Sequence, residues 1–81
     1  MMMGQYTFKV RATATAQTLP RLMNYFAQRD LMPCKVAAEI DDLMMTIVIE
    51  QDDIAAEAAT IIAEKMRSMV LVESIDLNAK E

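Results

Sequence analysis

The period of the apolar residues switches repeatedly between that of a strand and that of a helix, and the order of the switches leaves few folds open. From Gln5 to Ala14, the residues Tyr6, Phe8, Val10, Ala12 and Ala14 alternate with Thr7, Lys9, Arg11 and Thr13. That pattern predicts a strand buried on one side. The stripe then becomes helical, with Leu19, Leu22, Met23 and Phe26 on one side and Arg21, Asn24, Gln28 and Arg29 on the other. Pro20 suits a first turn, where its missing N–H costs nothing, and Thr15 or Thr18 offers a capping oxygen. A helix is predicted over Thr18 to Asp30.

Pro33 ends that helix, after which Cys34, Val36, Ala38 and Ile40 alternate with Lys35, Ala37 and Glu39 as a second strand. Asp41-Asp42 is a short polar break, and Leu43, Met45, Ile47 and Ile49 then resume the alternation as far as Gln51. Strands joined so closely form a hairpin. Asp52 and Asp53 place capping oxygens and negative charge where a second helix is expected to begin, and Lys65 and Arg67 fall near its end, so both ends match the helix dipole. Its predicted stripe is Ile54, Ala58, Ile61, Ile62, Met66 and Met69. Val70-Leu71-Val72 with Ile75 and Leu77 makes a last strand, whose apolar phase slips between Val72 and Ile75 as a bulge or a late start requires.

Strand, helix, strand, strand, helix, strand is the order of an α+β, ferredoxin-like βαββαβ sandwich: a four-stranded antiparallel sheet with two helices on one face. At 81 residues the whole chain, 1–81, is one domain, with residues 1–4 and 78–81 expected to fray. The expected core is Phe8, Val10, Leu22, Phe26, Val36, Ile47, Ile49, Ile61, Ile62 and Ile75. The uncovered face of the sheet would carry Lys9, Arg11, Lys35, Met44, Thr46 and Val48, beside Thr7 and Ala37. That mixture predicts a partner subunit or a second copy over part of it.

Composition narrows the chemistry. Histidine is absent, which removes the usual general acid–base near neutral pH and the commonest metal ligand, so no catalytic residue and no metal site is expected. A net charge of −4 without a local basic patch argues against nucleic acid. RNA recognition on the sheet would also need stacking aromatics on the open face, whereas Tyr6 and Phe8 fall on the helix side. The longest apolar runs, Leu43-Met44-Met45 and Ile47-Val48-Ile49, fall far below the roughly 20 residues of a membrane span. The first residues lack the pattern of a secretory signal. One cysteine, Cys34, cannot bridge within the chain, which points to the cytoplasm and to a small buried side chain. Met66 and Met69 read as core filler, and Asp41-Asp42 as turn formers.

The stretch from Gln17 to Asp30 resembles the first helix of ACT domains, in Leu19, a basic Arg21, Leu22 and the run Phe26-Ala27-x-Arg29. Val72-Glu73-Ser74-Ile75-Asp76-Leu77 is similar to the closing strand of that family, and the element order matches over nearly the whole chain. ACT domains are regulatory modules of amino-acid metabolism, many of which bind an amino acid at a dimer interface through the turn before the first helix. The resemblance therefore implies Thr15, Ala16, Gln17 and Thr18 as effector-binding residues, with valine, leucine or isoleucine as ligands. Gln17 stands where the family has a glycine, and so limits how closely the backbone approaches a ligand. Among ACT proteins the chain most resembles the very short regulatory subunits of acetolactate synthase, in Thr18-Leu19-x-Arg21 and in Gln28-Arg29 followed by Cys34. That implies a homodimeric, non-catalytic subunit, docked through the open face and strand edges on a catalytic chain of branched-chain amino-acid biosynthesis. Thiamine diphosphate and Mg would belong to that catalytic partner.

Overall fold

The computed structural model describes residues 3–80. Along the chain lie β1 (Met3–Thr13), α1 (Thr18–Ala27), β2 (Lys35–Asp41), β3 (Met44–Ala55), α2 (Ala56–Arg67) and β4 (Val72–Lys80). The sheet order is β2-β3-β1-β4 with every neighbouring pair antiparallel, the ferredoxin-like arrangement that the alternation predicts. Residues 3–4 and 78–80, expected to fray, are paired in the sheet. Met3 and Gly4 pair with Ala55 and Ile54, and Asn78, Ala79 and Lys80 pair with Thr7, Tyr6 and Gln5. The central strand β1 extends far enough to satisfy the backbone of both neighbours, and Lys80 Nζ adds a contact to Glu50 Oε1 at 3.1 Å. Met1, Met2 and Glu81 lie outside the described residues.

Phe8, Val10, Leu22, Phe26, Ile47, Ile49, Ile62 and Ile75 are buried as expected, and Phe8 meets Phe26 edge to face at 5.2 Å between ring centres. Two expected core residues are not buried: Val36 is 41% exposed and Ile61 43%. Val36 lies on β2, an edge strand whose residues are all exposed because neither helix reaches over it. Ile61 is rotated about 100° around α2 from the buried Ile62, which puts it on the flank. The buried side of α2 is instead Ala59, Ile62, Ala63 and Met66. Small Ala59 and Ala63, one turn apart, let this helix lie close against the sheet.

The second helix starts at Ala56, three residues later than the acidic pair predicts, because β3 continues through it. Tyr6 pairs with Gln51 and Gly4 with Ile54, so Asp52 and Asp53 together oppose Gln5 in a bulge. Asp53 takes φ 54° there. The extra residue shifts the phase of the strand, so Ile54 turns into the core at 1% exposure while both aspartates stay outside. In an unbulged strand Asp53 would point inward. No side-chain bond caps α2, so Asp52 and Asp53 do not act as its N-cap. A second irregularity falls in β4, where Arg11 pairs with Ser74 but Ala12 with Val72, leaving Glu73 as the extra residue. The strand therefore both starts late and carries a bulge, which accounts for the apolar slip between Val72 and Ile75.

The first helix ends at Ala27 rather than Asp30 because residues 28–31 form its cap. Asp30 adopts φ 57°, its N–H donates to Ala27 O at 3.0 Å, and Leu31 N–H donates to Phe26 O at 2.9 Å. These are the two bonds of a Schellman motif, with aspartate at the position that glycine usually fills and half-buried Leu31 packed on the core. Asp42, the first residue of the two-residue β2–β3 hairpin loop, has φ 60°.

Phe26→Ala should lower unfolding free energy by about 3–5 kcal/mol, measured by denaturant titration, since it empties the centre of the core. At the bulge, Asp53→Val should cost about 1–2 kcal/mol, because a β-branched side chain is strained at positive φ, whereas Asp53→Gly should cost nothing or stabilise slightly. Equal losses in the two variants would mean that the carboxylate, not the backbone, holds the bulge.

Candidate functional site

The turn between β1 and α1 is held by backbone bonds from both sides. Thr13 N–H donates to Leu71 O at 2.9 Å and Ala14 N–H to Leu43 O at 2.8 Å, which ties the turn to the start of β4 and to the hairpin loop. Thr18 is fully buried and its hydroxyl donates to Thr13 O at 2.6 Å. That uses its one proton, so in the 2.9 Å contact between the two hydroxyls Thr15 is the donor. Thr15 Oγ1 in turn accepts the Gln17 N–H at 3.2 Å, and the Thr18 N–H donates to Thr15 O at 3.2 Å. Neither hydroxyl keeps a proton for a ligand.

Of the four residues expected to meet an effector, Thr15, Ala16 and Gln17 are exposed and Thr18 is not. Thr18 pins the helix start to the end of β1. Gln17, at the N-cap, is helical in backbone (φ −90°, ψ −17°) and makes no side-chain cap bond. Pro20 has no N–H to offer in the first turn. What the turn presents outward is its backbone around Ala16 and the Gln17 amide.

A shallow depression adjoins this turn, lined by Ala14, Thr15, Ala16, Ile40, Asp42 and Met45. The last three come from the hairpin and were not among the residues predicted for the site. The signal that would have found them is topological: β1 and β3 are adjacent, so the β2–β3 loop must rise beside the β1–α1 turn. The depression thus combines apolar Ile40 and Met45 with the carboxylate of Asp42 and the exposed residues Thr15 and Ala16.

The register brings Lys9, Arg11, Lys35, Met44, Thr46 and Val48 onto the one face of the sheet that no helix covers. This face is more polar than its sequence implies. Glu50 faces Lys80 at 3.1 Å and Lys35 at 3.9 Å, and Arg11 Nε lies 3.3 Å from Glu73. The large exposed apolar residues lie elsewhere, among them Val36, Ile40 and Leu43 on β2 and its loop. A second depression on the open face is lined by Lys9, Arg11, Thr46, Ser74 and Asp76.

Cys34 is exposed rather than buried, because it precedes the edge strand. Its thiol donates to Glu50 O at 3.2 Å and accepts from Gln5 Nε2 at 3.5 Å. Met66 and Met69 are core residues, and among the described residues no three acidic or thiol groups converge on a metal site. No described helix is long and apolar enough to cross a membrane.

Comparison with solved structures gives the same fold at low identity. The ACT domain of a GTP pyrophosphokinase from Chlorobium tepidum superposes with a TM-score of 0.81 at 9% identity, over 95% of this chain and 100% of that one. A homoserine dehydrogenase from Thiobacillus denitrificans matches with a TM-score of 0.84 at 11% identity, over 99% of this chain but only 18% of its own length. The C-terminal domain of the MgtC protein from Mycobacterium tuberculosis matches at 0.76 and 13% identity, over 98% of this chain and 89% of that domain. No curated protein matches the chain in sequence. A family described as an ACT-like domain does, over residues 2–81. With its fold, element order and family match in agreement, the chain belongs to the ACT-like domain family, whose members are regulatory modules.

Proposed function

We propose that this protein is a homodimeric, non-catalytic regulatory subunit that binds and activates acetolactate synthase in the cytoplasm. Thiamine diphosphate and Mg reside in the catalytic partner, and the small chain contributes no cofactor. The observation that carries this reading is the closed hydrogen-bond circuit of the β1–α1 turn, in which the Thr15 and Thr18 hydroxyls are spent on each other and on Thr13 O. A module whose effector turn is occupied with itself regulates by docking. The open face supplies the surface for that, since Lys9 pairs with Val48 and Arg11 with Thr46 in a mixed polar and apolar field. Resemblance of Thr18-Leu19-x-Arg21 and Gln28-Arg29 to the short acetolactate synthase subunits supplies the identity of the partner.

A second reading, a free-standing amino-acid sensor, draws on the depression beside Thr15, Ala16, Ile40 and Asp42. It differs from the first in what binds. Mixing the chain with the acetolactate synthase catalytic subunit should raise the synthase rate severalfold. The pair Lys9→Glu and Arg11→Glu should weaken association at least tenfold, about 1.4 kcal/mol, with little change in Tm. No association and no change in rate would reject the role. Calorimetric titration with valine, leucine and isoleucine should give no heat of binding to the chain alone; a saturable heat, lost in Ala16→Trp, would select the sensor.

A further inference from the structure

The depression on the open face sits where two register rows of the sheet adjoin. In one row Arg11 of β1 lies between Thr46 of β3 and Ser74 of β4. In the next, two residues along the strand, Lys9 lies between Val48 and Asp76. Directly opposite residues stand about 4.5–5.5 Å apart at Cβ and the rows are roughly 7 Å apart. Five polar side chains therefore border one hollow of about 330 Å³, at the small end of the range of ligand sites.

These groups differ from the hydroxyls of the β1–α1 turn in being uncommitted. Among the described residues, no ion pair takes in Lys9 or Asp76. No side-chain hydrogen bond among them involves Thr46 or Ser74. Arg11 reaches Glu73 through Nε, at 3.3 Å, which leaves the two terminal nitrogens of its guanidinium for another acceptor.

Charge and proton supply select what fits. Arg11, with a hydroxyl on either side, is a set of donors for a carboxylate, which a guanidinium takes with two parallel bonds. The neighbouring row is different. Lys9 and Asp76 face each other, so that row already balances its own charge, and a group seated there has to be neutral, accept from the ammonium and donate to the carboxylate. A hydroxyl meets all three conditions. An ammonium would be repelled by Lys9, a keto oxygen has no proton for Asp76, and a second anionic group would be repelled by Asp76.

We propose that this hollow binds a small 2-hydroxycarboxylate, with the carboxylate on Arg11, Thr46 and Ser74 and the hydroxyl between Lys9 and Asp76. The two ligand groups, on adjacent carbons, span less than the distance between the rows, and the flexible stems of Lys9 and Arg11 make up the difference. The site goes beyond docking of the face on a partner, and ligand and partner would compete for Lys9 and Arg11.

The test is a titration of the full chain alone, followed by amide chemical shifts in NMR, with four probes that differ only at the second carbon: lactate, pyruvate, alanine and propionate. Lactate should give saturable shifts at Lys9, Arg11, Ser74 and Asp76 with a Kd of about 1–10 mM, the range open to a ligand of so few atoms. Pyruvate, alanine and propionate should each bind about tenfold more weakly, as loss of one hydrogen bond to a charged group requires. Asp76→Ala gives a second readout. It should weaken lactate and strengthen propionate until the two agree within about twofold, because the hydroxyl loses its acceptor while the bare anion loses a repelling charge. Arg11→Gln should abolish saturation by both. These positions lie on the uncovered face, where substitution changes Tm little. Shifts that never saturate, an equal response to the four probes, tighter binding of pyruvate or alanine than of lactate, or a lactate preference that survives Asp76→Ala would each overturn the site. Because no synthase is present, a failure to bind lactate leaves the docking role standing, and a failure to activate the synthase leaves the site standing.

Discussion

Burial of the central strand is the constraint around which the rest is arranged. Phe8, Val10 and Ala12 of β1 have no exposed surface, and they reach that state because β3 and β4 flank the strand while α1 and α2 lie across it. The edge-to-face contact of Phe8 with Phe26 joins strand to helix at the middle of this layer. Two helices of 10 and 12 residues suffice to cover three strands. They do not suffice for four, so β2 receives a ladder on one side and nothing above. Its exposure is a consequence of helix number, and it is what leaves an apolar row open at one edge of an otherwise well-covered sheet.

Strands with a clean alternation were legible in the sequence because one face is wet and the other dry, so the period of β1 and of β3 up to Gln51 reports burial directly. Where the alternation slipped, the reading failed in a particular way. Ile54 at four residues before Ala58 looks like the start of a helical stripe, and Asp52-Asp53 looks like a cap. The same residues also suit a bulge, since an aspartate tolerates positive φ and the inserted residue brings Ile54 inward. Periodicity cannot separate the two, because what decides is the length of the partner strand: β1 extends back to Met3, so β3 gains more by pairing to Ala55 than by starting a helix early. Val36 misleads for the opposite reason. Its alternation is that of a buried face, but whether a helix covers that face is set by tertiary arrangement and leaves no mark on β2 itself.

Thr15, Ala16, Gln17 and Thr18 lie together at the β1–α1 turn, as the element order requires, yet their chemistry was not legible. Thr15 and Thr18 read equally well as donors to a ligand or as donors to each other. Only the placement of Thr13 O within 2.6 Å of Thr18 Oγ1 resolves where the protons go. The depression beside the turn is composite, with half its lining from a hairpin some 25 residues further on, so no local motif could have named Ile40, Asp42 and Met45.

The acidic excess has a structural origin as well as an electrostatic effect. With one glycine in 81 residues, the chain meets three positions with a left-handed backbone among the described residues, at Asp30, Asp42 and Asp53, and fills each with aspartate. Aspartate is among the few side chains that enter this region at modest cost, because its short carboxylate can bond to nearby backbone. Three of the twelve acidic residues are thus accounted for by turn geometry, against a net charge of −4. Part of the negative charge therefore arises from how the chain ends a helix, closes a hairpin and bulges a strand. These aspartates sit at the perimeter, in loops and at a bulge, while the paired acids Glu50 and Glu73 are on the sheet beside Lys80 and Arg11. Counted by element, the strands carry the basic residues Lys9, Arg11, Lys35 and Lys80 against the acidic residues Glu39, Asp41, Glu50, Asp52, Asp53, Glu73 and Asp76, so most of the net negative charge lies on the sheet, and the ion pairs of Glu50 and Glu73 neutralise only part of it.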